Sequence, residues 1–200
     1  MNAIEQKIYD LGLIPVIKIE DPEKAVPLAR ALCEGGLPAA EITFRTACAA
    51  DAIREGVKNF PEMNIGAGTV INGQQAKAAL EAGAKFIVSP GLSVEVAKIC
   101  EEAGVPYLPG CVTPTEIMQA LELGITTLKF FPANVYGGLK ALKALSAPFP
   151  QVRFLPTGGV DLTNINEFLE FEKIAAIGGS FMMKGDIVAN CKEMWKVIGK

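Results

Sequence analysis

The sequence predicts one α/β domain over residues 1–200, a single (β/α)8 (TIM) barrel with an extra N-terminal helix. Three observations carry this expectation. A phrase recurs in which helical periodicity ends in glycine and a short apolar strand follows at once. Glu34-Gly35-Gly36 leads into Ala39-Ala40-Glu41-Ile42-Thr43, Glu81-Ala82-Gly83 into Phe86-Ile87-Val88, Glu102-Ala103-Gly104 into Val105-Pro106-Tyr107-Leu108, and Glu122-Leu123-Gly124 into Thr126-Thr127-Leu128. The last three glycines fall about twenty residues apart, a spacing that marks repeated supersecondary units. Strand-like and helix-like runs also alternate eight times, which gives a parallel sheet with right-handed crossovers. Finally, 200 residues, 50% hydrophobic and 20% charged, suit one globular domain with a proper core. Eight units close most naturally into a barrel, although this length is short for that fold. A doubly wound open sheet is the alternative.

Taken in order, the chain opens with Met1 to Gly12, where Glu5, Lys7 and Asp10 fall among apolar positions; this reads as an amphipathic helix rather than a signal peptide. Strands are expected at 13–18, 39–43, 64–68, 85–88, 106–109, 126–130, 152–156 and 174–178. Helices are expected at 22–34, 47–58, 73–82, 93–103, 114–123, 137–145, 162–170 and 186–198. Each helix-closing glycine permits the left-handed turn that returns the chain to the sheet. Pro132 ends the sixth strand's ladder. No linker, low-complexity tract or second domain interrupts the pattern.

A net charge of −3 offers no basic footprint for nucleic acid, and no apolar run reaches the length of a membrane span. A cytoplasmic protein acting on a small molecule is therefore expected. Five scattered cysteines, at 33, 48, 100, 111 and 191, read as reduced and mostly buried. The chain contains no histidine, which removes His-based triads, His general bases and imidazole-rich zinc sites. No metal is implied, and acid–base work falls to carboxylates, lysines, tyrosines or water.

A barrel places its chemistry at the C-terminal ends of its strands, and that rule sorts the lysines. Lys85 and Lys173 precede their strands and belong to the structural face. Lys129 lies near the end of strand six, inside Thr126-Thr127-Leu128-Lys129-Phe130-Phe131-Pro132, where an unpaired ammonium is costly. Such a lysine either snorkels to water or is held partly neutral, and a neutral amine attacks carbonyl compounds. Lys18, ending strand one, is its rival. Glu41 in strand two is either half of a structural ion pair with Arg45 or Lys129, or a general acid/base facing the mouth. Arg45, just past the strand, could clamp a carboxylate bidentately. Gly66-Ala67-Gly68-Thr69 would let backbone approach a ligand, with the Thr69 hydroxyl bonding it, or the glycines are only packing devices, as glycines in barrels often are. Ser89-Pro90-Gly91 and Pro109-Gly110-Cys111 shape the mouth. Pro156-Thr157-Gly158-Gly159 and Gly178-Gly179-Ser180 end strands seven and eight, where barrels often hold phosphate on backbone N–H groups. Read blandly, they are tight turns. Together these groups suit a phosphorylated keto acid, with an iminium on Lys129 as electron sink.

The motifs resemble the class I 2-keto-3-deoxy-6-phosphogluconate (KDPG) aldolases, a family that overlaps with 4-hydroxy-2-oxoglutarate aldolases. The resemblance runs through Pro15-Val16-Ile17, Glu41-Ile42-Thr43-Phe44-Arg45-Thr46, Gly66-Ala67-Gly68-Thr69-Val70, Val88-Ser89-Pro90-Gly91, Leu128-Lys129-Phe130-Phe131-Pro132-Ala133, Phe154-Leu155-Pro156-Thr157-Gly158-Gly159-Val160 and Ile177-Gly178-Gly179-Ser180. It implies that Lys129 forms the Schiff base and Glu41 transfers protons. Arg45 and Thr69 would hold the pyruvyl carboxylate, and Gly158, Gly159, Gly179 and Ser180 the phosphate. Thr157 would set stereochemical preference, and Pro90 and Phe131 complete the substrate contacts. Lys18 stands where some relatives have arginine, and would serve the phosphate less rigidly. Phe181-Met182-Met183-Lys184 follows Ser180 where some relatives have tryptophan. The resemblance further implies no cofactor beyond the covalent lysine adduct, a homotrimer, and cleavage of KDPG to pyruvate and D-glyceraldehyde 3-phosphate, with 4-hydroxy-2-oxoglutarate as a second substrate. A phosphosugar isomerase would explain the glycine loops and Glu41 but not Lys129. A non-catalytic barrel would leave the convergence of Glu41, Arg45 and Lys129 unexplained.

Overall fold

The computed structural model describes residues 3–199, so Met1, Asn2 and Lys200, which the expected opening helix and domain range include, lie outside the described residues. The architecture is α/β with a curled parallel sheet. In chain order the first half comprises α1 (Ala3–Leu11), β1 (Leu13–Ile17), α2 (Ala25–Glu34), β2 (Ala39–Thr43), α3 (Ala49–Asn59), β3 (Asn64–Gly68), α4 (Gly73–Glu81), β4 (Ile87–Val88) and α5 (Val94–Ala103). The second half comprises β5 (Tyr107–Leu108), α6 (Pro114–Glu122), β6 (Thr127–Phe130), α7 (Gly138–Ser146), β7 (Arg153–Pro156), α8 (Ile165–Leu169), β8 (Ile177–Gly179) and α9 (Ile187–Ile198). Six strands form one sheet in the order β5-β4-β3-β2-β1-β8, and β6 pairs with β7. Isolated parallel bridges join Gly110 to Lys129, Phe154 to Ile174 and Thr157 to Gly178.

Strand alternation sorts the apolar side chains into two layers. Ile14, Phe86, Val88, Leu108, Leu155 and Ala176 pack together inside the curl, with Ile8 of α1 buried among them and Ile4 against them. The leading helix therefore seals the sheet's N-terminal end. The opposite faces carry Ile42, Ala67, Ile87, Leu128, Phe154 and Ile177 into a larger cluster beneath the outer helices. Helix starts are capped by Asn72, Ser93 and Asp186, and Thr113 and Glu116 form a reciprocal capping box. Gly36, Gly83, Gly104 and Gly124 adopt φ of +78°, +91°, +65° and +74°, the left-handed turns expected after helices.

The structure moves several expected boundaries. The last ladder forms at 177–179 rather than 174–178, because Ile174 meets Phe154 only in an isolated bridge. β5 shrinks to two residues between Pro106 and Pro109, which lack the N–H that a longer ladder needs. The helix expected at 162–170 starts only at Ile165, since the Asp161 carboxylate accepts from the N–H and the hydroxyl of Thr163 and holds a turn there. The helix expected from residue 22 begins as a 3-10 turn over Pro22–Lys24 and becomes α-helical at Ala25. Lys85 and Lys173 do lie at the structural end, where their amines donate to the Pro61 and Pro150 carbonyls. Among the described residues no helix is long and apolar enough to cross a membrane.

Candidate active site

β6 presents Lys129 rigidly. Its N–H donates to Pro109 at 2.8 Å, its carbonyl accepts from Cys111 at 2.9 Å, and on the other side it is in register with Leu155 of β7. Leu128 and Phe130 turn outward into the helix-covered core, so Lys129 turns inward. β2 does the same for Glu41, between outward-facing Ala40 and Ile42. The two side chains meet. Lys129 Nζ lies 3.1 Å from Glu41 Oε1 and 3.5 Å from Oε2, with residue exposures of 5% and 0%. The Glu41 carboxylate accepts no other hydrogen bond among the described residues. Burying such a pair is expensive, so its presence is poor evidence of stability and directs attention to chemistry.

β3 supplies the room. A Cβ on Gly68 would stand 2.1 Å from Glu41 Oε1, and one on Gly66 would stand 2.4 Å from the Phe86 ring. These glycines thus accommodate side chains inside the curl, the packing role that the sequence left open beside an approach of backbone to ligand. We expect Gly68→Ala to push the Glu41 carboxylate off Lys129 and cut kcat by about 10²-fold, with substrate affinity changed far less. Steady-state kinetics on the folded variant check this; undiminished kcat would show that the pairing geometry is unimportant.

The Phe131 ring leans over the amine, its centroid 5.5 Å from Lys129 Nζ, and stays 41% exposed at the rim. Gly158 lies on Phe131 and Pro132: its absent Cβ would sit 3.6 Å from the ring. The loop after β6 is tied to the loop after β7 by Ala133 N–H to Thr157 O at 2.9 Å and Asn134 N–H to Gly158 O at 3.2 Å. Gly158 and Gly159 have φ of +91° and +78°, and the Asn134 side chain occupies the space a Cβ on Gly159 would need. The hydroxyl of Thr157 is buried without a hydrogen-bond partner among the described residues, and it faces Gly178, whose Cβ would lie 2.2 Å from it.

No side-chain hydrogen bond or ion pair among the described residues joins the other expected residues to Lys129 or Glu41. Arg45 is exposed and pairs with no carboxylate among the described residues. Thr69, directly after Gly68, holds φ +56°, an unusual left-handed conformation for a β-branched residue. Pro90 is exposed, with its carbonyl packed against Gly110. Gly179 is buried against Phe181 and Ser180 is exposed beyond it. Lys18 is exposed and bound to Glu20 at 2.6 Å, so Lys129 alone of the two rivals is buried. Sequence reasoning missed Asn134 and Glu20, whose parts depend on neighbours that no local pattern reveals. Cys111 borders β6, but burial and then the Glu116 charge push its thiol up to about 12, making it a poor competing nucleophile. Among the described residues no three His, Cys, Asp or Glu side chains gather to hold a metal ion.

The chain matches the family model for KDPG and KHG aldolase over residues 4–200. It is 45% identical over 174 residues to the KHG/KDPG aldolase of Escherichia coli K12, covering 87% of this chain and 82% of that one. It is 41% identical over 199 residues to the 2-dehydro-3-deoxy-phosphogluconate aldolase of Haemophilus influenzae, covering 100% and 93%. The crystal structure of the Legionella pneumophila KDPG aldolase, with pyruvate captured at low pH as a covalent carbinolamine, superposes with a TM-score of 0.89 at 37% identity, covering 98% and 97% of the two chains. A curled parallel sheet with a buried lysine–carboxylate pair, in a chain of this ancestry, defines an aldolase, a carbon–carbon lyase. The chain belongs to the KDPG and KHG aldolase family.

Proposed function

We propose that this enzyme cleaves 2-keto-3-deoxy-6-phosphogluconate to pyruvate and D-glyceraldehyde 3-phosphate through a Schiff base on Lys129, and accepts 4-hydroxy-2-oxoglutarate, giving pyruvate and glyoxylate. The observation that carries this is the 3.1 Å contact between buried Lys129 Nζ and Glu41 Oε1. The pair can pass a proton between amine and carboxylate, leaving a neutral amine to add to the substrate C2 carbonyl. Glu41 then assists loss of water to the iminium and, directly or through water, removes the C4 hydroxyl proton. The C3–C4 bond breaks and its electrons flow into the iminium, forming an enamine and releasing the aldehyde. Protonation of the enamine carbon and hydrolysis free pyruvate and restore the amine. No external cofactor enters, in keeping with the carbinolamine captured in the Legionella enzyme.

Arg45, exposed and paired with no carboxylate among the described residues, and Thr69 hold the pyruvyl carboxylate. Gly158, Gly159, Gly179 and Ser180, with Lys18, hold the phosphate. The Thr157 hydroxyl, without a hydrogen-bond partner among the described residues, hydrogen-bonds the C4 hydroxyl and governs the configuration of that carbon. Pro90 and Phe131 line the mouth, with Phe131 shielding the iminium from water. The bridges at Gly110–Lys129 and Thr157–Gly178 support closure of the eight strands into one barrel domain. Exposed Ile71, Val94, Met118, Val135 and Tyr136, all following strands three to six, support a homotrimer. Five free cysteines suit the cytoplasm.

The test is reductive trapping. Borohydride added with pyruvate should fix a single adduct, and peptide mapping should place it on Lys129. No adduct, or one on Lys18, would sink the assignment.

A further inference from the structure

Lys18 enters this site with a partner of its own. Its Nζ lies 2.6 Å from Glu20 Oε1, with side-chain exposures of 46% and 73%. The β1–β8 register pairs Pro15 with Gly179, so three residues further on Lys18 leaves the sheet on the rim that Ser180 also occupies. The cation that follows β1 there is therefore paired with a carboxylate two residues away on the same segment. Lys18 holds the Glu20 carboxyl below its usual value, by hydrogen bond first and charge second; Lys24 acts on it more weakly. An exposed pair of this kind is held loosely and exchanges partners at little cost.

We propose that Glu20 is a specificity-determining residue that competes for Lys18: a phosphorylated substrate tail binds by taking the ammonium from the Glu20 carboxylate. The inference rests on the aldolase reading above and extends it to a residue outside the reacting cluster. Its chemistry is a counter-ion exchange with no covalent step. The phosphate dianion must displace one negative charge and then sit beside it, so Glu20 lowers the advantage of phosphorylated over unphosphorylated keto acids without touching the reacting atoms. Both charges are exposed, so the effect is screened by salt.

The experiment compares wild type, Glu20→Gln, Lys18→Met and the double variant on KDPG and on the same keto acid lacking phosphate, at low and high ionic strength. Glu20→Gln should lower KM for KDPG by about two- to fivefold at low salt. It should leave kcat and the unphosphorylated substrate unchanged, and its effect should vanish in the Lys18→Met background and shrink at high salt. An unchanged KM in Glu20→Gln, while Lys18→Met raises KM for KDPG alone, overturns the competition and leaves the phosphate reading intact. Equal effects on both substrates, or a change in kcat, mark Glu20 as structural and overturn it as well. If neither variant alters KM for KDPG, the phosphate does not reach this rim, and Lys18 falls with Glu20. Absence of any KDPG cleavage by wild type would instead defeat the aldolase reading itself.

Discussion

Lys129→Ala is expected to lower kcat/KM by roughly four orders of magnitude or more, because in the proposed mechanism the variant lacks the atom that would form the covalent intermediate. The fold should survive. β6 keeps its backbone bonds to Pro109 and Cys111 and its register with β7, none of which uses the side chain. The cost falls on Glu41, left buried with no partner. Removing one member of a buried pair costs about 3–5 kcal/mol when the other stays charged, but Glu41 can take up a proton, which offsets part of this. With about 2–4 °C per kcal/mol for a chain of this size, a fall in melting temperature of about 3–10 °C is expected. Circular dichroism should be native-like, and borohydride with pyruvate should leave the variant unlabelled. Retention of a trapped adduct on another lysine, with turnover above a few per cent, would show that the nucleophile was misidentified.

The placement of Lys129 and Glu41 is legible in the sequence because strand polarity separates the two ends of a parallel sheet. Lys85 in Lys85-Phe86-Ile87 and Lys129 in Leu128-Lys129-Phe130 look alike locally, and only their positions relative to the preceding glycine separate them. The structure places the first on the Pro61 carbonyl at the structural end and the second on Glu41 inside the curl. Less legible are features that depend on one strand's view of another. The glycines of β3 left ligand contact and packing both open, and only the view across the sheet shows Gly66 and Gly68 yielding space to Phe86 and Glu41. The Lys18–Glu20 pair was unreadable because two exposed charges two residues apart have no fixed geometry until the strand end directs them. Strand lengths shifted where prolines cut ladders, as around β5.

Glu41→Gln isolates proton transfer from everything else the carboxylate does. Glutamine keeps the size and the carbonyl acceptor that Lys129 Nζ meets at 3.1 Å, and it fits the space that Gly68 leaves. It cannot take a proton from the C4 hydroxyl or give one to the departing water. General acid–base catalysis by a positioned side chain contributes about 10²–10⁴-fold, and kcat should fall by that range with KM little changed. Two further readouts separate this from disorder of the site. The borohydride adduct should still map to Lys129, formed more slowly because dehydration of the carbinolamine lacks its acid. Exchange of the pyruvate methyl protons with deuterated water, which requires reversible conversion of the iminium to the enamine, should be lost in step with cleavage. If cleavage falls while methyl exchange persists at the wild-type rate, Glu41 serves only the C4 hydroxyl and another group protonates the enamine carbon. If both persist, the carboxylate is only a structural counter-ion for Lys129, and the close approach of the two buried groups has no part in the chemistry.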